Sequence, residues 1–460
     1  MTPVMPLLKQ QELAEERFEP TRFKVYTERH LDRIEPLARL SEAQRFEMRV
    51  VAQVLPFRVN QYVIDELIDW DNVPGDPVFQ LTFPQRGMLA EADFARMAET
   101  LRTGDKAEIQ RVANAIRAGL NPHPAGQQLL NVPQLGEQTL DGIQHKYRET
   151  LLFFPSQGQV CHSYCSFCFR WAQFIGDKEL RFSVKEADHL HAYLRQHRNI
   201  SDLLVTGGDP MVMKTQHLVK YLDTLTQPQF EHIQTIRIGT KSLTFWPQRY
   251  VTDEDADELL DLLSRLVRAG KHVALMAHFN HWREMDTDIA REAIRRIRET
   301  GAVIRTQAPL LRHINDDPQV WADMWREQVR LGLVPYYMFV ERDTGAKQYF
   351  EVPLARAWEI YREAMQQISG LGRTARGPSM SAGPGKVEIQ GVSEISGEKV
   401  FVMRFIQARN PDWVQRPFFA QYDENATWLD QLRPAFGEAK FFFEDEYQAM
   451  LSGEISPRVV

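Results

Sequence analysis

The three cysteines of this chain, Cys161, Cys165 and Cys168, lie in the stretch VCHSYCSFCFRW with the spacing C-x3-C-x2-C. Three thiolates on one tight loop can each ligate one iron of a 4Fe-4S cube, which leaves the fourth iron without a protein ligand and open to a chelating small molecule. Two other readings use the same residues: a zinc site with His162 as fourth ligand, or three unrelated core cysteines. Zinc normally takes four nitrogen or sulfur ligands, and no C-x2-C partner occurs elsewhere in the sequence to complete such a site.

Two further stretches carry chemistry-bearing residues. Thr206-Gly207-Gly208-Asp209-Pro210 comes after an apolar run, and its glycines let backbone approach a ligand, although the same residues also make an ordinary turn. Lys386 ends the run Ser381-Ala382-Gly383-Pro384-Gly385-Lys386, where a lysine after a Gly/Pro loop would by itself read as a surface side chain.

The elements that must position these residues change character along the chain. Residues 1–120 read as helical: the segments 41–68 and 91–120, the second interrupted near Gly104, carry apolar residues at helical spacing, and a Pro/Gly-containing loop at 71–84 separates them. Residues 121–142 are rich in Pro, Gly, Gln and Asn and are expected to drape over the neighbouring α/β domain. From Leu151 short apolar strands alternate with amphipathic helices, the pattern of a parallel α/β sheet or barrel. Six strands are expected, at 151–154, 202–206, 235–239, 272–277, 302–307 and 335–340. Between them Leu218, Tyr221, Leu222 and Leu225 fall on one helix face. Thr252 with Asp255 resembles a capping box, and Asp317-Pro318 opens another helix. Six units without a seventh and eighth predict an open, partial (β/α)6 barrel, whose chemistry gathers at the C-terminal ends of its strands. Beyond the sixth strand come a long helix at 353–369, a Gly/Ser/Pro-rich loop and a strand at 399–406.

Composition sets the outer bounds. The 460 residues are 43% hydrophobic and 25% charged, typical of a globular protein, and allow one large domain with extensions or two to three smaller ones. With 55 Lys plus Arg against 62 Asp plus Glu, a net charge of -7 does not suggest a nucleic-acid-binding surface. There is no signal-peptide pattern at the start and no apolar run long enough to span a bilayer. Three clustered cysteines without pairs suit a reducing cytoplasm.

The cysteine spacing resembles that of the radical S-adenosyl-L-methionine (SAM) superfamily, in which SAM chelates the open iron and is cleaved to a carbon-centred radical. Together with the lysine after a glycine run, it resembles more narrowly the lysine 2,3-aminomutase family. Matching stretches are His145-Lys146-Tyr147, Arg237-Ile238-Gly239, Pro247-Gln248-Arg249, His278-Phe279-Asn280-His281, Gln307, Leu310-Leu311-Arg312, Asn315-Asp316 and Pro335-Tyr336-Tyr337. The likeness runs from about His145 to Lys386 and is weaker in the N-terminal helices.

The resemblance implies roles position by position. Lys386 would form the Schiff base with pyridoxal 5'-phosphate (PLP), Tyr147 would pack by PLP, and Lys146 and Arg148 would lie near its phosphate. Gly207, Gly208 and Asp209 would hold the SAM amino group, while His278 and Gln307 would contact SAM; a satisfied core histidine competes for His278. Arg170 would pair with the substrate α-carboxylate through a guanidinium fork. It also implies residues 1–120 as a helical region, 121–345 as the radical SAM partial barrel and 346–460 as the PLP-lysine and tail region.

Departures from the family pattern bear on substrate. Two aspartates that hold the distal ammonium in lysine-specific members align with Arg342 and Ser379, with Asp343 adjacent to the first. A guanidinium repels a nearby ammonium, so lysine is disfavoured and an acidic amino acid such as glutamate or aspartate is expected, with a neutral polar one second. Asp317 stands where a zinc-binding cysteine would be expected, so no structural zinc is expected. The expected activity is an amino acid 2,3-aminomutase, an isomerase that moves the α-amino group to Cβ. The alternatives are the same machinery ending in elimination or deamination, and a non-catalytic iron-sulfur protein in electron transfer or sensing. The expected partners are the amino acid substrate, an electron donor such as flavodoxin or ferredoxin, and further copies of the chain; neither nucleic acid nor membrane is expected.

Overall fold

A computed structural model of the chain describes residues 18–121, 130–175, 182–184 and 187–456, so the first 17 residues and part of the segment expected to drape lie outside the description. Helix Glu42–Val54 opens with a reciprocal cap: Gln44 N donates to Ser41 Oγ at 3.2 Å and Ser41 N donates to Gln44 Oε1 at 3.0 Å. It stops earlier than residue 68 because Pro56 pushes its predecessor out of the α region. The chain instead enters β2 (Arg58–Asn60), paired antiparallel with β1 (Val25–Thr27). Within the expected loop 71–84 lies helix Pro77–Thr82, nucleated by Asp76, whose Oδ1 accepts from Val78 N and Phe79 N at 2.9 and 2.8 Å. Helices Glu91–Thr103 and Lys106–Leu120 are separated at Gly104, which takes φ 74°. A short hairpin of β3 (Gln134–Leu135) and β4 (Gln138–Thr139) comes next.

One eleven-stranded sheet then carries the rest of the molecule, each strand lying beside its predecessor in the chain. It comprises β5 (Ile143–Tyr147), β6 (Thr150–Phe153), β7 (Asp202–Val205), β8 (Thr235–Thr240), β9 (His272–His278), β10 (Val303–Leu310), β11 (Val334–Val340), β12 (Arg376–Ser381), β13 (Gly385–Ile395), β14 (Glu398–Ala408) and β15 (Pro417–Gln421). β6 through β12 run parallel, and β5 and β13–β15 are antiparallel additions at the two edges. No ladder joins β5 to β15 among the described residues. β6–β11 are the six expected strands. β12 is a seventh whose sequence, RGPSMS, has no apolar alternation; its ladder to β11 is broken by a register shift around Gly377-Pro378.

Helices cover the outer face. Leu218, Tyr221, Leu222 and Leu225 share one core with Leu259, Leu262, Leu263 and Leu266 of helix Ala256–Arg268. Each such leucine contributes about 2 kcal/mol by leaving water. Helix Pro318–Arg330 starts as expected, Asp317 Oδ1 accepting from Gln319 N at 2.7 Å. The Thr252–Asp255 cap does not form. Asp255 instead accepts from Thr215 N and from Arg249 Nη1, both at 2.7 Å, because a nearly buried guanidinium competes for the carboxylate. At the far edge β13 and β14 form a long hairpin closed by Ser396-Gly397, both at positive φ, and Lys386 is the second residue of β13.

Candidate active site

The cysteine stretch 160–171 is an irregular loop after β6, and its shape is imposed from two sides. The N-terminal region grips its backbone: Tyr164 N donates to Arg58 O at 2.8 Å, Ser166 N to Leu81 O at 2.9 Å and Ser166 Oγ to Gln80 O at 2.7 Å, while Asn60 N donates to Ser163 Oγ at 3.0 Å. From the sheet side Gly208 N donates to Gly158 O at 3.0 Å and Asp209 N to Val160 O at 2.9 Å. A Cβ on Gly208 would fall 2.6 Å from Val160 N and 2.7 Å from Val160 O, so only glycine permits this approach.

All three cysteines are free and half-buried. Burial pushes the Cys161 thiol well up and the Cys168 thiol to about 11, the latter restrained by Arg170. Thiolates here therefore need a strong positive charge to offset them, which iron supplies. Among the described residues no three His, Cys, Asp or Glu side chains converge tightly enough to hold one ion. His162 is absorbed by packing: burial lowers it to about 3, and its ring meets Phe23 edge-on at 5.7 Å.

Arg170 lies two residues after Cys168. Its Nη2 donates to Gln159 Oε1 at 3.1 Å, its guanidinium lies 4.5 Å from the Phe154 ring centroid, and its buried Nε has no partner. Burial lowers it to about 10, opposed by the charges of Cys168 and Cys161. His278, the last residue of β9, sits in register with Gln307 within β10, their Nε2 atoms 2.7 Å apart. Burial lowers His278 to about 3, so a neutral imidazole accepts from the Gln307 amide. Asp209 is engaged by the protein itself: it accepts from Met211 N at 2.9 Å, Lys241 N at 2.8 Å and Thr240 Oγ1 at 2.7 Å, and burial raises it to about 6.

A second group forms where β11–β14 meet β5. Lys386 Nζ lies 4.2 Å from the Tyr337 ring centroid and 5.3 Å from that of Phe339. Burial lowers its amine to about 7, and the cations Arg237 and Arg376 act in the same sense. Lys146 Nζ donates to Ala382 O at 2.8 Å; burial depresses its amine strongly, helped by Arg409, Arg342 and Lys386. Tyr147 has its phenol pushed up by burial, with Arg409 and Arg342 opposing. Arg342 stands 5.4 Å from the Phe169 ring centroid and 5.8 Å from that of Trp428, with Nε 3.8 Å from Asp343 Oδ1. Glu341, raised by burial and opposed by Arg342, also acts on Cys168 and so links the two groups. An amine that is easily neutralised, set among unusually concentrated positive charge, fits an aldehyde cofactor that carries a phosphate.

Arg148 and Ser379 are placed differently from one another; Ser379 pairs in register with Phe339, whose ring faces Lys386. Arg148 is exposed on the turn between β5 and β6, next to Glu149, whose carbonyl accepts from Ser201 N and Asp202 N at the start of β7. Ser379 is fully buried in β12, its Oγ 3.4 Å from Met338 O. Five side chains of the site carry no signal in the sequence: Gln159, Arg409, Trp428 and the buried pair of Lys241 with Glu284 at 2.6 Å near the thiols. Gln159 adjoins the cysteine stretch but belongs to no motif, and the others come into the site through contacts between distant parts of the chain that leave no local pattern.

No family model matches the chain. A protein of Aquifex aeolicus, named provisionally as an L-lysine 2,3-aminomutase, is 30% identical over 404 residues, covering 87% of this chain and 94% of that one. The L-lysine 2,3-aminomutase of Bacillus subtilis is 25% identical over 83% of this chain and 71% of its own. The glutamate 2,3-aminomutase of Clostridioides difficile is 29% identical over 211 residues, covering 46% of this chain and 47% of its own. With the cysteine loop at the mouth of a parallel sheet and a relative aligned over nearly its whole length, the chain belongs to the lysine 2,3-aminomutase family of radical SAM enzymes.

Proposed function

We propose that this protein is a 2,3-aminomutase that converts an acidic α-amino acid, such as glutamate or aspartate, into its β-amino acid. When bound, the cluster with SAM supplies a carbon-centred radical, and PLP holds the migrating nitrogen and spreads the unpaired electron. The chain's own residues do the holding. Cys161, Cys165 and Cys168 ligate three irons; Gly207 and Gly208 keep backbone close to the cluster loop, with Asp209 bracing them; His278 and Gln307 line the SAM side. Lys386 is the attachment point for PLP, flanked by Lys146 and Tyr147, and Arg170 takes the α-carboxylate with its unpartnered Nε. Residues 1–120 serve as the brace for the cysteine loop, 121–345 as the radical-generating part and 346–460 as the part that brings Lys386. A one-electron donor of the flavodoxin or ferredoxin type reduces the cluster.

The observation that carries the acidic substrate is the Arg342 guanidinium, held between the Phe169 and Trp428 rings and close enough to Tyr147 to affect its phenol. A cation there attracts a distal carboxylate and repels the ammonium of lysine, more strongly in a partly dehydrated site than in water. That a relative is named glutamate 2,3-aminomutase supports acidic substrates within the family. The test is steady-state turnover of glutamate, aspartate, glutamine, alanine and lysine by the reconstituted enzyme, with product analysis to separate migration from elimination. Preferred turnover of lysine would overturn the assignment.

A further inference from the structure

We propose that Arg409, supplied by the C-terminal hairpin, joins Lys146 to form a binding site for a phosphate monoester dianion. The inference deepens the reading of the site as PLP-dependent, and that dianion would be the PLP phosphate. Arg409 comes directly after β14, whose register sets Ala408 opposite Gly385 and Gln407 opposite Lys386. Its side chain is among the most completely buried in the molecule, at 2% exposure for the residue. The two cations converge on neighbouring carbonyls of the turn before Lys386: Lys146 Nζ donates to Ala382 O and Arg409 Nε to Gly383 O, both at 2.8 Å. Arg409 N also donates to Pro384 O at 3.1 Å.

These bonds hold the turn but leave charge uncompensated. Arg409 Nη1 is buried and has no partner, and among the described residues neither Arg409 nor Lys146 makes an ion pair. The acidic side chain bound by the next residue, Glu446, is taken by Asn410 Nδ2 at 2.9 Å and Trp413 Nε1 at 3.1 Å. Burying a guanidinium with no counter-ion is costly and disfavours the charged form of the Lys146 amine beside it, and a dianion relieves both at once. Arg148, the other cation expected near the phosphate, is exposed on the β5–β6 turn, so Arg409 supplies the second cation instead. Because the same arginine fixes the turn that leads into Lys386, the anion would also set where the lysine amine points.

The test compares PLP with pyridoxal, which lacks the phosphate, on full-length protein stripped of bound cofactor. The readouts are the borohydride-trapped adduct on Lys386, by peptide mass spectrometry, and the affinity of each aldehyde. Arg409→Gln is expected to weaken PLP binding ~10- to 100-fold, the size of one or two charge-assisted hydrogen bonds. Pyridoxal affinity should stay within about twofold, and Arg409→Lys should restore part of the PLP preference. A folded Arg409→Gln protein that keeps the wild-type preference for PLP over pyridoxal would overturn the proposal. If wild-type protein forms no Lys386 adduct, the PLP reading itself falls, and inorganic phosphate then decides. A rise in melting temperature with phosphate in wild type but not in Arg409→Gln upholds the anion site, and equal or absent rises in both overturn it.

Discussion

Lys386 Nζ sits over the face of Tyr337, 4.2 Å from the ring centroid, with Arg237 and Arg376 as its charged neighbours. An aromatic face favours the ammonium modestly, but burial and two like charges act against it, and together they bring the amine down to about 7. A lysine so placed is neutral, hence nucleophilic, in roughly half of the molecules near pH 7, far more than an ordinary lysine.

The first prediction is a pH profile. Adduct formation between Lys386 and pyridoxal should rise through a midpoint near 7 rather than near the ordinary lysine range. The linkage runs the same way: folded Lys386 has the lower pKa, so the cofactor-free protein gains stability as pH rises from about 7 towards 10.5 and loses it as pH falls through 7. Rates of borohydride-trapped adduct from pH 6 to 10 would check the midpoint, with Lys386→Ala as the blank. A midpoint at the ordinary lysine value would show that the amine is solvated.

A second prediction concerns Gly208, where an added Cβ meets the backbone of Val160 rather than a movable side chain. Gly208→Ala should displace the cysteine loop, cost about 1–3 kcal/mol of stability and lower cluster occupancy. Iron and sulfide content per chain, with a denaturant melt on the same sample, tests both parts. Full iron content with an unchanged melt would mean that the two loops do not depend on one another.

Whether a feature is legible in the sequence depends on whether the interactions that make it are local. β6 to β11 announce themselves because their apolar residues come in short runs or strict alternation, as in TIRIGT of β8, and the helix faces show as leucines at three- and four-residue spacing. β12 does not, because Gly377, Pro378 and Ser379 carry no apolar alternation; its position comes from β11 and β13 beside it. The cysteine loop is readable as chemistry, while the residues that shape it, Asn60, Gln80 and Leu81, lie 80 or more residues away and form no motif. Arg409 is invisible for the same reason: 23 residues beyond Lys386 in the chain, it returns only through the β13–β14 hairpin.

The third prediction concerns the ion pair under the thiols. Lys241 Nζ donates to Glu284 Oε1 at 2.6 Å and Asn280 Oδ1 at 2.9 Å, and the Glu284 side chain is wholly buried. Glu284→Gln leaves the Lys241 charge unpaired and should destabilise the protein by about 3–5 kcal/mol. A combined Lys241→Met, Glu284→Leu variant should lose less than the single variant, because no lone charge remains. Equilibrium denaturation of the three proteins measures this, and equal losses in single and double variants would assign the effect to packing alone.

The last prediction bears on Arg342. Phe169 and Trp428 lie 5.4 and 5.8 Å from its guanidinium, so the side chain is restrained in a site where a distal substrate carboxylate would find a partly dehydrated cation. Arg342→Ala should lower kcat/KM for the acidic substrate by about 100-fold, ~3 kcal/mol, with most of the change in KM because the distal group is bound alike in ground and transition states. Arg342→Asp should go further and move preference towards lysine, since Asp343 beside it would add to the same negative field. Competition assays with glutamate and lysine in one vessel read the preference directly. If Arg342→Asp kept the acidic preference while Arg342→Ala was unimpaired, the distal group would be met by some other side chain, and the residue beside Trp428 would be a structural cation.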